Sequence, residues 1–483
     1  MNPFATATAL LADLRAKKVS SSDLTELYIR RIEKHDARLN AVVVRDFARA
    51  RQQAKAADTG GAGAVRGLPM TIKESFNVEG LATTCGVPEW KGFVSKHDSP
   101  AWARLKAAGA VLLGKTNVPP MLADWQSANP VYGRANNPFD LGRTPGGSSG
   151  GSSAAIAAGL SALEVGSDIG GSIRVPAAFC GIYGHRPSET LLPKSGQFPM
   201  PPMPNATVVM GVQGPLARCA EDLELALSIL QGPDVGEDVA WRVELPAARR
   251  ARLADFRVAI LPPVAWLPVD ASITAALDQV ASKLVALGAT VKQAQPEGMG
   301  DWREHHALYR TLLSAVTGAR ADEETRRKRI ANLKKHDSEF TRAQLRGLEG
   351  TAGEYIVWNS KRESYRAAWR AFFREWDVLV APAINVLAYP HVERAWPEDE
   401  SDFTLTLDVN GTKTPYTNGL FYPAMSTVAG QPATAFPVGR SREGLPVGLQ
   451  AVGPYLEDLT SIRFAGLLAK EIGCFVKPEG WDA

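Results

Sequence analysis

The chain has 483 residues, with 54 Lys and Arg against 51 Asp and Glu, which gives a formal net charge of +3. This charge is too small to attract nucleic acid or an anionic membrane by itself, and a composition of 45% hydrophobic and 22% charged residues is that of a folded globular protein. The four cysteines are widely separated and form no CxxC pair, which argues against a disulfide framework or zinc site and indicates a reducing, cytoplasmic compartment.

No targeting or membrane segment is predicted. The N-terminus lacks a basic segment followed by a sustained apolar core, and no stretch approaches the roughly 18 uncharged apolar residues of a spanning helix. Segment 4–14 has the pattern of an amphipathic helix, which either lies on a membrane surface or packs on the protein. The second interpretation is favoured, so we expect no stable membrane insertion.

The first 60 residues are predicted to form a helical lead-in. Leu10, Leu11 and Leu14 recur at helical spacing, and the serines at 20–22 supply capping hydroxyls for a second helix. Short apolar runs and helices then alternate, which predicts a central sheet covered by helices. The strand candidates are 68–72, 111–113, 163–165, 258–261 and 378–381. Helices of mixed charge fill most of the interval from about 271 to 375.

The most unusual local sequence is Gly146-Gly147-Ser148-Ser149-Gly150-Gly151-Ser152-Ser153. Glycines permit backbone angles that are closed to other residues, and serines place hydroxyls on the bent backbone. The same composition is compatible with a flexible linker, although a linker that leads directly into an alanine-rich helix is less plausible.

A second glycine and serine cluster, Ser167-Asp168-Ile169-Gly170-Gly171-Ser172-Ile173-Arg174, follows the next strand candidate. Two glycines before a serine let successive backbone N–H groups turn toward one point, which is the arrangement that stabilises an oxyanion. Ser172 is therefore a candidate nucleophile beside its own oxyanion hole. An ordinary tight turn is the alternative.

A nucleophilic serine needs a base, and none of the seven histidines lies in a nucleophile-elbow context such as GxSxG. His185 is near in sequence, and a structural role is favoured for it. Lysine serves as a base where burial lowers its pKa from about 10.4 to near 7 or 8. Lys73 ends the apolar run 68–72, which would deliver it into the interior, although a lysine at a strand end is usually on the surface.

One match to a nucleotide-binding motif is rejected. Gly109-Ala110-Val111-Leu112-Leu113-Gly114-Lys115-Thr116 fits the pattern GxxxxGK[ST] of a phosphate-binding loop. In such a loop the variable residues follow a strand, whereas here the variable residues themselves are predicted to be the strand. Lys115 is therefore interpreted as a structural residue.

Together these clusters closely resemble the amidase signature family. The resemblance rests on Lys73, the glycine-serine run and the segment from Asp168 through Phe179-Cys180-Gly181. It continues in Gly114-Lys115-Thr116-Asn117, Asn136-Asn137-Pro138, Gly214-Pro215-Leu216-Ala217-Arg218, Gly430-Gln431-Pro432 and Gly444-Leu445-Pro446-Val447-Gly448-Leu449-Gln450, and so covers nearly the whole chain.

The resemblance implies a Ser-cisSer-Lys catalytic triad. In that family the middle serine precedes the nucleophile by 24 residues, which here selects Ser148 (172 − 148 = 24) over Ser149. Ser172 would be the nucleophile, Ser148 a proton relay held by a cis peptide, and Lys73 the base. Neither a metal nor an organic cofactor is expected. The implied oxyanion donors are the backbone N–H groups of Ile169, Gly170, Gly171 and Ser172.

Two regions carry weaker expectations. The family commonly has Gly-Leu-Lys-Pro-Thr where this chain has Gly184-His185-Arg186-Pro187-Ser188, so the roles of His185 and Arg186 are open. The run from Thr116 to Pro130 is similar to fatty acid amide hydrolases and suggests substrate contacts. The substrate-binding candidates are Leu122, Trp125 and Ser149, and Met200, Met203, Phe421 and Tyr422 are further candidates for a hydrophobic pocket.

The resulting prediction is one α/β domain over 1–483, an α/β/α sandwich with a large mixed, mainly parallel sheet, a helical lead-in over about 1–60 and a helical insertion over about 290–400 that shapes the substrate entrance. The predicted function is hydrolysis of a carboxamide C–N bond in a small acyl or aryl amide of hydrophobic character. The alternatives are a carbamate (urethane) or ester hydrolase and a glutamine amidotransferase subunit that acts on charged tRNA. No nucleic-acid partner is expected for the main function, and a homodimer is left open.

Overall fold

The computed structural model describes residues 1–200, 208–319, 321–394 and 404–482. The α-helices in these residues are α1 (Ala7–Arg15), α2 (Ser21–Leu39), α3 (Phe47–Thr59), α4 (Pro100–Ala107), α5 (Gly150–Ala157), α6 (Arg174–Phe179), α7 (Ala220–Leu230), α8 (Ala271–Ala286), α9 (Trp302–Gly318), α10 (Glu323–Leu333), α11 (Glu339–Glu349), α12 (Ala352–Glu375), α13 (Phe421–Ala429) and α14 (Asp458–Ile472). The strands are β1 (Val42–Arg45), β2 (Pro69–Lys73), β3 (Val111–Thr116), β4 (Ala128–Asn129), β5 (Gly133–Arg134), β6 (Glu164–Asp168), β7 (Tyr183–Arg186), β8 (Val212–Ala217), β9 (Arg257–Ile260), β10 (Thr290–Gln293), β11 (Val378–Pro382), β12 (Thr406–Val409), β13 (Thr412–Pro415), β14 (Ala433–Arg440) and β15 (Pro446–Val452).

The central sheet has eight strands in the order β10-β9-β11-β15-β14-β7-β8-β6. β9 pairs in parallel with β10 and β11, whereas the other five neighbouring pairs in the order are antiparallel. A mixed sheet is confirmed, but the prediction that it is mainly parallel is wrong. The reason lies in the connections: β14 and β15, for example, are joined by a short turn, and a short turn can link only antiparallel neighbours.

A smaller sheet, with strands in the order β1-β3-β2, lies next to β6 at the edge of the central sheet. Its edge strand β2 lies against β6, because the backbone N–H of Thr71 donates to the carbonyl of Leu163 at 3.3 Å and the Thr71 hydroxyl donates to the Glu164 carboxylate. Lys73 is the last residue of β2 and Asp168 the last of β6. Side chains at these two strand ends are therefore brought together.

Helices cover both faces of the central sheet. Val258 and Val378 belong to an apolar cluster that also contains residues of α2, α7, α8 and α14, whereas their neighbours Ala259 and Leu379 belong to a second cluster with residues of α9, α12 and α13. This alternation follows from the period of two residues in a strand, which sends successive side chains to opposite faces. The α/β/α sandwich predicted from the sequence is confirmed.

The predicted helical lead-in and helical insertion both have counterparts in the structure. α1, α2 and α3 lie within the first 60 residues, although β1 interrupts them, and α9 to α12 lie between β10 and β11 within the predicted insertion over 290–400. Residues 395–400 lie outside the described residues. The single domain over 1–483 and the role of the insertion at a substrate entrance stay predictions. Across the described ranges, no helix combines the length and the apolar character needed to cross a membrane.

Candidate active site

Lys73, Ser148 and Ser172 meet where β2 and β6 end. The side-chain nitrogen Nζ of Lys73 donates to Ser148 Oγ at 2.7 Å and to Ser167 Oγ at 3.0 Å. The backbone N–H of Ser149 donates to the carbonyl of Ser172 at 3.1 Å, which ties the two serine-bearing turns together. The three residues selected from separate parts of the sequence thus share one site.

Lys73 is completely buried, which decides its protonation. Burial lowers the pKa of Lys73 to about 7, because removal of water disfavours the ammonium, although the negative charge of Asp168 opposes this effect. A large fraction of the side chain is therefore neutral near pH 7 and can accept a proton. The alternative interpretation of Lys73 as a surface lysine is wrong.

The glycine-serine run is a buried turn and not a flexible linker, since every residue from 146 to 153 is buried. The peptide bond between Gly147 and Ser148 is cis, as the family resemblance implied. A Cβ on Gly147 would lie 2.4 Å from the carbonyl oxygen of Asp124, so this position accommodates only glycine. Packing around the turn thus fixes the backbone that carries Ser148.

The second turn is organised by the carboxylate of Asp168. Its Oδ1 accepts the N–H of Gly171 at 2.9 Å, its Oδ2 accepts the N–H of Ile173 at 3.1 Å, and both oxygens are bound by the Arg174 guanidinium at 2.9 and 3.0 Å. Burial disfavours the charged carboxylate, but Arg174, Arg186 and the Gly171 N–H together outweigh burial and hold the pKa of Asp168 well below its usual range. Asp168 therefore stays ionised and keeps the turn closed.

This contact corrects one of the four predicted oxyanion donors. The N–H of Gly171 is engaged by Asp168 and does not point into an open site. Among the described residues, the N–H groups of Ile169, Gly170 and Ser172 have no backbone acceptor. These three remain the donors that can face a substrate oxygen. The sequence pattern could not reveal the difference, because it depends on where the Asp168 side chain folds.

Ser172 is nearly buried, with 6% of the residue exposed. Within the described residues, no hydrogen bond joins it to Ser148, although Ser148 is bonded to Lys73. Catalytic hydrogen bonds are often completed only when substrate is bound.

The substrate-binding candidates lie in different environments. Trp125 is nearly buried, and its indole N–H donates to the carbonyl of Gly170 at 3.1 Å, so it contacts residues 169–172, the oxyanion turn, directly. Ser149 is fully buried, and its backbone N–H bonds the carbonyl of Ser172, so its role in substrate binding stays a prediction. Leu122 is half-buried in a short helical turn.

The further candidates for a hydrophobic pocket also differ in their surroundings. Phe421 and Tyr422 belong to the second apolar cluster, Met200 is exposed, and Met203 lies outside the described residues.

Sequence reasoning missed two residues that contact the site. Ser167 bonds Lys73 through its hydroxyl, and Tyr309 of α9 donates its hydroxyl to the carbonyl of Ile169 at 3.1 Å. Ser167 lies in the recognised cluster and could have been found as a second hydroxyl on the strand that faces Lys73. Tyr309 is distant in sequence and has no local signal.

The departures from the family pattern have structural roles. The ring of His185 is fully buried and bonds Thr434 at 2.9 Å and Asp458 at 3.0 Å, which links β7 to β14 and to the start of α14. Arg186 donates to the carbonyls of Met210 and Gln431 at 2.7 and 3.0 Å. Neither residue is available as a catalytic base, in agreement with the structural role predicted for His185.

The rejection of a phosphate-binding loop is also supported. Lys115 lies inside strand β3, where its ammonium donates to Thr83 Oγ1 at 2.9 Å. Because the Gly-Lys-Thr segment continues the strand and does not enter a helix, it lacks the backbone geometry that cradles phosphates.

Comparisons with known proteins find similar sequences and structures over nearly the full length of this chain. The chain matches a family model described as Amidase over residues 23–461. It is 30% identical over 460 residues to indoleacetamide hydrolase of Bradyrhizobium diazoefficiens, which covers 93% of this chain and 83% of that protein. It is also 30% identical over 485 residues to a glutamyl-tRNA(Gln) amidotransferase subunit of Thioalkalivibrio sulfidiphilus, with 94% of each chain covered. The solved structure of 6-aminohexanoate cyclic dimer hydrolase with substrate matches with a TM-score of 0.80 at 26% identity and covers 100% of both chains.

The buried lysine should cost stability. With its pKa near 7 in place of the 10.5 of an exposed lysine, Lys73 destabilises the folded state by roughly 4 kcal/mol at pH 7. Lys73→Met should therefore raise the free energy of unfolding by up to this amount, measured by urea denaturation. The unfolded lysine binds a proton between about pH 7 and 10 that the folded lysine has released, so wild-type stability rises relative to the variant across this range. A variant less stable than the wild type, or a difference independent of pH, would contradict this account.

Proposed function

The chain belongs to the amidase family and hydrolyses amide C–N bonds, and we propose that it does so through an acyl-enzyme on Ser172, with Lys73 as base and Ser148 as proton relay. The observation that carries the proposal is the 2.7 Å hydrogen bond between Lys73 Nζ and Ser148 Oγ in a buried site. Burial lowers the pKa of Lys73 to about 7, so the lysine can take a proton from a serine relay and later return it.

In the acylation step, Ser172 Oγ attacks the substrate carbonyl carbon and forms a C–O bond. The Ser172 proton passes to Ser148 Oγ while the Ser148 proton passes to neutral Lys73. The carbonyl electron pair moves to oxygen, where the N–H groups of Ile169, Gly170 and Ser172 can stabilise the negative charge. A well-placed donor of this kind contributes about 3 kcal/mol to the transition state.

Collapse of the tetrahedral intermediate breaks the C–N bond. The departing amine takes a proton from Ser148, which is reprotonated by the Lys73 ammonium. A water molecule then attacks the acyl carbon by the same route: its proton passes through Ser148 to Lys73, and Ser172 recovers a proton as the carboxylic acid leaves. The relay begins and ends with neutral Lys73, so the cycle is complete.

We further propose a small substrate with an apolar acyl or aryl group, processed in the cytoplasm. Apolar side chains border the oxyanion turn: Leu420 lies 3.1 Å from the position of a Cβ on Gly170, and Trp125 bonds the carbonyl of Gly170. The thiol of Cys180 is buried and is not part of a disulfide, which fits a reducing compartment. By analogy with the relatives, arylacetamides and ω-amino amides are reasonable first substrates.

The nucleophile can be identified with a fluorophosphonate and intact-protein mass. We expect a single adduct on the wild type, none on Ser172→Ala, and formation slowed about 10²- to 10⁴-fold in Lys73→Met, which is the usual contribution of a general base. Ser153→Ala is a matched control, because Ser153 is buried in the same run and its hydroxyl has no hydrogen-bond partner in the described residues. An adduct that persists in Ser172→Ala would overturn the assignment.

The pH dependence should report Lys73. For an uncharged amide, kcat/KM should rise about tenfold per pH unit below pH 7 and level off above it, because only neutral Lys73 can accept the serine proton and its pKa is about 7. The rate of fluorophosphonate labelling should follow the same curve, which excludes titration of the substrate. A midpoint near 10, which is the ordinary pKa of a lysine, would contradict the lowered pKa of Lys73.

Matched substrates separate the proposed amidase from the alternatives that the sequence leaves open. We expect hydrolysis of an apolar acyl amide to be faster than that of the matched carbamate. We also expect no release of ammonia from glutamine, because glutamine is polar and the site borders on apolar side chains. A carbamate preference would favour a urethane hydrolase. Glutaminase activity in a stable heteromer would favour an amidotransferase component, in keeping with the similarity to the tRNA-dependent amidotransferase of Thioalkalivibrio sulfidiphilus.

A further inference from the structure

The oxyanion turn, residues 169–172, is a short length of backbone whose N–H groups must point in a fixed direction. In a trans peptide the C=O and the following N–H point in opposite directions from one rigid plane. A hydrogen bond to a carbonyl therefore aims the N–H of the next residue. The contacts of this turn can be assigned peptide by peptide on that basis.

The peptide between residues 170 and 171 is held at both ends. The indole N–H of Trp125 donates to the carbonyl of Gly170 at 3.1 Å, and the N–H of Gly171 donates to Asp168 Oδ1 at 2.9 Å. This plane is fixed and has no donor left for substrate.

The next peptide, between residues 171 and 172, is held only by its carbonyl. Gly171 O accepts from the N–H of Val175 at 2.7 Å in the first turn of α6. The N–H of Ser172 then points away from α6 and, in the described part of the chain, has no backbone acceptor. The start of α6 thus aims one oxyanion donor.

The peptide between residues 169 and 170 is held by a side chain from a distant element. Tyr309 Oη donates to the carbonyl of Ile169 at 3.1 Å, which leaves the N–H of Gly170 without a backbone acceptor in the described residues. A Cβ on Gly170 would lie 2.7 Å from the same Oη, so the absence of a side chain allows this contact. Burial raises the pKa of Tyr309 far above its ordinary value, so its hydroxyl remains a donor.

We propose that Tyr309 is a positioning residue for catalysis: its hydroxyl fixes the peptide between Ile169 and Gly170 so that the Gly170 N–H faces the developing oxyanion. The inference rests on the proposed acyl-enzyme mechanism. It adds a requirement that the triad does not contain, because Tyr309 belongs to α9, between β10 and β11, and touches neither Lys73 nor the two serines through any hydrogen bond of the described residues.

The surroundings of Tyr309 are suited to this task. The residue is fully buried, and the ring of His306, one helical turn earlier, stacks on it with centroids 5.8 Å apart. Phe421 in turn packs against His306 at 5.9 Å. A ring held by aromatic neighbours keeps its hydroxyl in place at low cost, since the side-chain entropy is lost on folding and not during the reaction.

Tyr309→Phe tests the proposal because it removes only the hydroxyl. We expect kcat to fall about 10- to 100-fold, less than the full loss of an oxyanion donor, while KM and the affinity for the product acid change less than about twofold. A trifluoromethyl ketone with the same acyl group, which forms an oxyanion on Ser172, should bind weaker by the same factor as kcat. The pH midpoint near 7 should not move, because Lys73 is untouched.

Tyr365→Phe is the matched control, since Tyr365 is also buried in the second apolar cluster but lies on α12. It should keep kcat and ketone affinity within about twofold of the wild type. An unchanged kcat in Tyr309→Phe, or equal weakening of ketone and product binding, would overturn the proposal. If wild type formed no fluorophosphonate adduct on Ser172, the proposed function itself would fail, which is a separate outcome.

Discussion

The geometry of the site depends on the hydrogen bonds that the buried carboxylate of Asp168 accepts. The carboxylate accepts hydrogen bonds from two backbone N–H groups of the turn that carries Ser172 and from Nε and Nη2 of Arg174. Arg174 in turn donates to Pro423 O and to Gln450 Oε1, which connects the turn to α13 and β15. A buried ion pair seldom adds net stability, because desolvation offsets the attraction. Its value here is geometric: it fixes the turn relative to the sheet.

The same carboxylate also affects the base. Burial lowers the pKa of Lys73, and the charge of Asp168 limits that decrease, which leaves the value near 7. A second buried carboxyl, Glu164, lies on the same strand, and burial raises its pKa to about 8. Its charge acts on Lys73 in the same direction as that of Asp168 but more weakly. Burial and the two neighbouring carboxyls thus oppose one another at the base.

The sequence pointed to the residues proposed as catalytic because their signals are local. Glycine beside serine indicates a bent backbone, and Lys73 follows an apolar run. Both patterns can be recognised in the sequence without knowledge of the fold. The relative direction of neighbouring strands could not be predicted from the sequence. Strand β11, Val378–Pro382, pairs in parallel with β9 and antiparallel with β15, and its own residues indicate neither direction. The state of the Gly171 N–H was equally hidden, because it depends on the direction of a single carboxylate.

The contact of Tyr309 with Ile169 could not be predicted from the sequence for a different reason. The two residues are 140 positions apart, and only the tertiary fold brings α9 to the oxyanion turn. The helices between β10 and β11 are those predicted to shape a substrate entrance, and α9 of the same region supplies the hydroxyl that bonds Ile169. Under that prediction and the proposed role of Tyr309, a substitution in α9 that reshapes the entrance would also displace the Gly170 N–H. A substrate that fits the entrance poorly would then lose transition-state stabilisation as well as binding.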